Sequence, residues 1–119
     1  MTLEEILKKV TQLVDQKKAN DITVYKFKEE NIIADSVLIF SAQNTIHCKA
    51  LVETVVSFVE DYIKQNKNNE IFCKKSGEYS SGWVILDLNV LIIHCIIESN
   101  RKFYNVDKYL ETKSTVYHY

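Results

Sequence analysis

Gly82-Trp83-Val84-Ile85-Leu86-Asp87-Leu88-Asn89-Val90-Leu91-Ile92-Ile93-His94-Cys95-Ile96-Ile97 is the stretch that decides the fold. Two apolar runs flank a polar break at Asp87 to Asn89. Short blocks of Val, Ile and Leu with polar punctuation read as buried strands. Asn tolerates a positive φ, which predicts a tight hairpin turn at Leu88-Asn89. Val90 to Ile97 is apolar on both faces apart from His94, so this strand is expected in the interior of its sheet. Arg101, Phe103 and Tyr104 follow where the chain leaves the sheet.

On the N-terminal side, Glu70 to Lys74 reads as a further strand, with Ile71 and Cys73 on one side. Ser76 to Gly82 holds both glycines of the chain and is expected to be a mobile loop. Thr45 to Lys64 has the longest helical pattern: Leu51, Val55, Phe58, Val59 and Tyr62 share a face, with Asn44 as N-cap. Ala34 to Ala42 and Ile22 to Phe27 read as two more strands. Thr2 to Lys17 is an amphipathic helix with Leu3, Ile6, Leu7, Val10, Leu13 and Val14 on one stripe, and Thr2 and Glu5 at capping-box spacing. On the C-terminal side, Val106 to Thr112 reads as a short helix capped by Asn105, and Thr115 to Tyr119 as a frayed tail. The expected order is α-β-β-α-β-β-β-α. This is an α+β (α/β) domain with a mixed five-stranded sheet flanked by helices, spanning residues 1–112, with 113–119 as a C-terminal tail.

With 119 residues, the chain is large enough to bury one core without staples. Lys and Arg number 15 and Asp and Glu 16, for a net charge of −1. That balance argues against phosphate neutralisation as the main source of affinity, and so against direct sequence-specific nucleic-acid binding. The three cysteines are Cys48, Cys73 and Cys95. An odd count in apolar segments argues against a disulfide framework and fits a reducing cytoplasm. Residues 1–20 show no secretory pattern, and no apolar run reaches membrane-spanning length.

No pattern of catalytic residues stands out. Two glycines without a Gly-Lys-Ser/Thr pattern cannot build a phosphate-cradling loop. His47-Cys48 and His94-Cys95 are adjacent pairs rather than a cluster of ligands, and neighbours on a strand point to opposite faces, which speaks against a metal site; no cofactor is expected. Buried structural cysteine is the expectation for all three thiols. His94 is read either as a core histidine bonded to a carboxylate or carbonyl, or as the edge of a functional surface. Asp87 either caps the turn or offers a carboxylate to a basic partner. Trp83 is either core packing or a partly exposed anchor. Arg101 is expected to pair with a carboxylate rather than bind an anion. Phe103 and Tyr104 are expected to fold back over the sheet.

Ser81-Gly82-Trp83-Val84-Ile85-Leu86-Asp87, then His94, then Arg101-Lys102-Phe103-Tyr104-Asn105-Val106-Asp107, resembles the ribosomal silencing factor family, also called Iojap-like. That family has Gly/Ser-x-Trp-Val-Leu-Leu-Asp, a His at the end of a Val-rich strand, and Arg-x-Phe-Tyr-Asp-Leu-Glu. Lys18-Ala19-Asn20-Asp21-Ile22-Thr23-Val24 is similar to its Lys-Ala-x-Asp-Ile-x-Val. Asn89-Val90 departs from the family's Gly-Asp turn, Ile46 from its Arg, and Leu110 from its Trp. The resemblance implies a nucleotidyltransferase-like outline without the catalytic set, and a protein that is not an enzyme. It implies binding to the large ribosomal subunit through ribosomal protein L-fourteen and a steric block to joining with the small subunit, lowering translation under nutrient limitation. It also implies a homodimer in the free state. The partner-binding residues expected are Trp83, Asp87 and Tyr104, with His94 nearby and Asp35 as a weaker candidate. The readings set against it are a small nucleotidyltransferase-like enzyme and a dimeric adaptor unrelated to the ribosome.

Overall fold

The structure is a computed structural model and describes residues 3–27, 36–66, 71–111 and 114–118. Helix α1 (Leu3–Gln16) precedes strands β1 (Asn20–Phe27) and β2 (Ser36–Ala42), and helix α2 (Thr45–Asn66) follows them. Next come β3 (Lys74–Ser76), a 3-10 turn at Tyr79–Ser81, β4 (Trp83–Asp87) and β5 (Leu91–Ile97). Helices α3 (Glu98–Tyr104) and α4 (Val106–Glu111) lead to β6 (Ser114–His118). The strands form one sheet in the order β3-β4-β5-β2-β1-β6. β2 and β5 run parallel, from Ser36↔Leu91 to Ala42↔Ile97, and the other neighbours are antiparallel.

Strand alternation sorts the side chains onto two faces. Helices α1 and α2 cover one of them. Ile6, Val10 and Val14 from α1 and Leu51, Val55 and Val59 from α2 pack over Val24, Leu38, Phe40, Leu86, Ile93 and Cys95. Helix α2 starts where Asn44 caps it: the Asn44 side-chain oxygen accepts the His47 N–H at 2.8 Å. The opposite face has a smaller cluster of Tyr25, Val37, Ile39 and Ile96, with Trp83, Ile92 and Val106 packed against it. Burial on both sides gives β2 and β5 the sheet interior, as the apolar run of β5 predicts.

Five sequence expectations need correction. The sheet has six strands, because Ser114–His118 pairs with β1 instead of fraying. That pairing satisfies a row of β1 backbone groups that would otherwise form an open edge. Residues 71–73 are not in a strand; pairing starts at Lys74, which lies opposite Asp87. The apolar alternation there marks packing, while the hydrogen-bonded edge is carried by lysines, as edges commonly are. The segment from 76 to 82 is tied by Ser81 N–H to Glu78 O and Gly82 N–H to Tyr79 O, both 3.0 Å. Helix α3 was not expected at all, since its buried residue is Arg101 and an apolar pattern cannot register a buried arginine. Asn105 closes α3 in the left-handed conformation, φ 52°, with its N–H on Lys102 O. The hairpin turn is displaced by one residue: Leu88 N–H meets Leu91 O at 2.9 Å around Asn89-Val90, and Asn89 supplies φ +80°.

Candidate functional site: an aromatic row on the sheet face opposite α1 and α2

Gly82 sets the start of the site. Its φ of +75° favours glycine, and an added Cβ would fall 2.7 Å from both Asn100 Nδ2 and Ile97 Cδ1. The bare backbone lets β5 and α3 close on it, with Ile97 N–H donating to Gly82 O at 2.9 Å. Trp83 therefore begins β4 beside the N-terminal end of α3. From there Trp83, Ile85 and Asp87 share one face of β4, and Ile92, His94 and Ile96 face the same way from β5. This is the face that α1 and α2 do not cover.

The Trp83 indole N–H donates to His94 Nδ1 at 3.0 Å, which assigns the His94 proton to Nε2. Burial pushes the His94 pKa down to about 4, so the ring is neutral near pH 7. The Tyr104 ring lies 5.5 Å from Trp83, and Phe103 meets Tyr104 edge-on at 5.0 Å. Tyr104 is 57% exposed and Phe103 80% exposed. His94, Trp83, Tyr104 and Phe103 thus form a continuous row running from half-buried to open solvent.

Arg101 fixes the helix that carries the outer two rings. Its Nε and Nη2 clamp the two carboxylate oxygens of Asp107, each at 2.8 Å. Its Nη1 donates to Asp21 O at 2.6 Å and Ser41 Oγ at 3.0 Å, and Nη2 also reaches Thr23 Oγ1 at 3.2 Å. Asp21 sits at a register shift in β1 with φ 47°, which points its carbonyl at the guanidinium. The Tyr25 hydroxyl donates to Asp107 as well. These bonds use all five guanidinium N–H groups, so Arg101 is an anchor with no donor left for an anion. With Arg101 turned inward, Phe103 projects outward from the opposite side of the short helix, while Tyr104, one turn on from Arg101, lies against Trp83.

The structure joins Trp83, His94 and Tyr104 into one surface. Asp87 lies on the same face of β4, four residues or about 13 Å along the strand from Trp83. Its Oδ1 accepts the Asn89 N–H at 2.8 Å, so it caps the turn. Asp35 lies outside the described residues. His94 is bonded to an indole rather than to a carboxylate or carbonyl, and Phe103 stands in solvent rather than over the sheet. Ile85 and Ile92 read in the sequence only as strand residues, yet they form the apolar floor beside His94; alternation from Trp83 and His94 is the signal that marks them. Among the described residues no group of three His, Cys, Asp or Glu side chains is placed to hold a metal ion. No described helix is long and apolar enough to cross a membrane.

Fold and surface together define an α+β domain whose mixed sheet packs α1 and α2 on one face and, beside α3 and α4, presents an aromatic row on the other. The chain belongs to the ribosomal silencing factor family: the family model described as RsfS, ribosomal silencing factor during starvation, matches residues 1–117. It is similar to the ribosomal silencing factor RsfS of Halalkalibacterium halodurans, 25% identical over 108 residues that cover 91% of this chain and 87% of that one. It is 27% identical over 109 residues to RsfS of Bacillus subtilis, covering 91% and 86%. A crystal structure of a Chromobacterium violaceum protein has the same fold, with a TM-score of 0.76 at 18% identity over 93% of this chain and 88% of that one.

Proposed function

We propose that this protein represses translation by binding the large ribosomal subunit through ribosomal protein L-fourteen, so that the small subunit cannot join. The observation that carries this reading is the aromatic row. Protein interfaces draw most of their energy from a few aromatic anchors inside a polar rim. Phe103 and Tyr104 are preplaced by the Arg101 clamp, so little ordering cost remains on binding. Near-neutral net charge limits indiscriminate adhesion to ribosomal RNA. The mechanism is steric: the bound domain occupies the joining face, with no turnover, and acts in the cytoplasm where subunits join. In the free protein the same row is covered by a second copy, which must leave before the ribosome is engaged.

Asp87 contributes through its second carboxylate oxygen, towards a basic partner, while the first holds the turn. Co-sedimentation with purified large subunits tests the reading. Binding to large subunits but not to joined ribosomes is expected. Phe103→Ala with Tyr104→Ala is expected to weaken it at least tenfold. Equal retention on joined ribosomes overturns the mechanism, and an unaffected double variant overturns the site.

A further inference from the structure

Cys48 on α2 and Cys95 on β5 are free, buried thiols whose sulfurs lie 3.2 Å apart. Their contact is reciprocal. Cys48 Sγ lies 3.9 Å from Cys95 O, and Cys95 Sγ lies 3.9 Å from Cys48 O. Each side chain therefore leans across the helix–strand gap onto the other residue's backbone. That is the convergence a disulfide requires, whereas two cysteines that merely fill a core need not face each other. The third thiol, Cys73, is half-buried and free.

We propose that Cys48 and Cys95 form a reversible intramolecular disulfide, a modification site for peroxide that locks α2 onto β5. One thiol attacks hydrogen peroxide, giving a sulfenic acid and releasing water. The second thiol displaces the hydroxyl as a second water, and the S–S bond forms. The thiol pair loses two protons and two electrons in all, and the peroxide is reduced to two waters. A dithiol reductant reverses the bond by thiol–disulfide exchange. Both sulfurs are buried, so the proposed reaction requires a local opening, for which the first turn of α2, carrying Cys48, is the nearest element end. Cys95 lies between His94 and Ile96, so the bond anchors the strand beneath the aromatic row from its opposite face. This inference rests on thiol geometry and stands apart from the ribosome reading.

The pairing itself is diagnostic. Cys73 lies about midway in sequence between the other two. Chain closure in an unfolded ensemble therefore favours a pairing with Cys73 over Cys48–Cys95 by roughly threefold. The test treats the full-length protein with hydrogen peroxide, then blocks remaining thiols with an alkylating agent under denaturation. Intact mass and non-reducing peptide mapping follow. The expected result is a monomer with the mass of one alkyl group added to a chain 2 Da lighter than the untreated one (two hydrogens lost), the alkylated thiol being Cys73, and a linked peptide pair containing Cys48 and Cys95. Dithiothreitol restores three reactive thiols. The oxidised protein is expected to melt on the order of 10 °C higher. Repeating the reaction in urea below the unfolding transition removes slow access as an obstacle. Three reactive thiols under both conditions, a bond to Cys73, or sulfinic acid at Cys48 in place of the bond each overturn the proposal.

Discussion

Replacing Arg101 by Met keeps much of the side-chain volume and removes the whole clamp. The loss is five hydrogen bonds and the ion pair with Asp107. Asp107, whose side chain is only 28% exposed, is left with the Tyr25 hydroxyl as its remaining side-chain partner among those described here. Removing one member of a buried ion pair costs about 3–5 kcal/mol, and the partial exposure of Asp107 puts this case near about 3. Against a typical domain stability of about 5–15 kcal/mol, that is a large share. Urea unfolding followed by circular dichroism at pH 7 measures it. Arg101→Lys keeps the charge but not the fork, and is expected to lose about 1–2 kcal/mol. There is also an acid signature. The Arg101 hydrogen bonds hold the Asp107 carboxyl below its ordinary 3.8, against the opposing effect of burial and with help from Tyr25. A lowered folded pKa means that this stability is present above about pH 4 and is lost as pH falls through the folded value. Arg101→Met is expected to flatten that limb. A loss under about 1 kcal/mol for the Met variant, or an unchanged acid limb, would refute the anchor.

His94 gives a second pH window with the same sign. Its folded pKa of about 4 lies below its ordinary 6.5, so the unfolded chain takes up the proton first. Stability is expected to fall by about 2–3 kcal/mol between pH 6.5 and 4 and then level off for this group; His94→Gln removes that slope in urea titrations. Gly82→Ala adds a Cβ at positive φ against Ile97 and Asn100, and a loss of about 2–3 kcal/mol is expected in thermal melts. Phe103→Ala alone is expected to change stability by less than about 0.5 kcal/mol, because the ring is in solvent, while weakening ribosome association; a calorimetric scan paired with sedimentation separates the two effects.

The legible parts of the sequence were those written in apolar periodicity. β4, β5, α1 and α2 follow their stripes, and Asn44 and Asn89 mark a cap and a turn by their own chemistry. What escaped is written in polar residues or in partners distant in sequence. Helix α3 turns on a buried arginine whose partners lie at Asp21, Thr23, Ser41 and Asp107. Strand β6 is defined by its register against β1, some ninety residues earlier by the pairing Val24↔Tyr117. The site was partly visible. Trp83, His94 and Tyr104 do converge, but the outward aim of Phe103 depends on the inward aim of Arg101, a tertiary fact.

The parallel junction of β2 with β5 also bears on how the chain assembles. Each half of the sheet is built from antiparallel neighbours, and the β4–β5 pair closes through a two-residue turn. The halves meet along seven paired positions that no turn can bring together, with the long α2 crossover between them. Pairing them closes a loop of about 55 residues, so the β2–β5 junction is expected to form late in folding. Amide exchange is where this registers: β2 and β5 are expected to exchange last, and only when the entire domain opens.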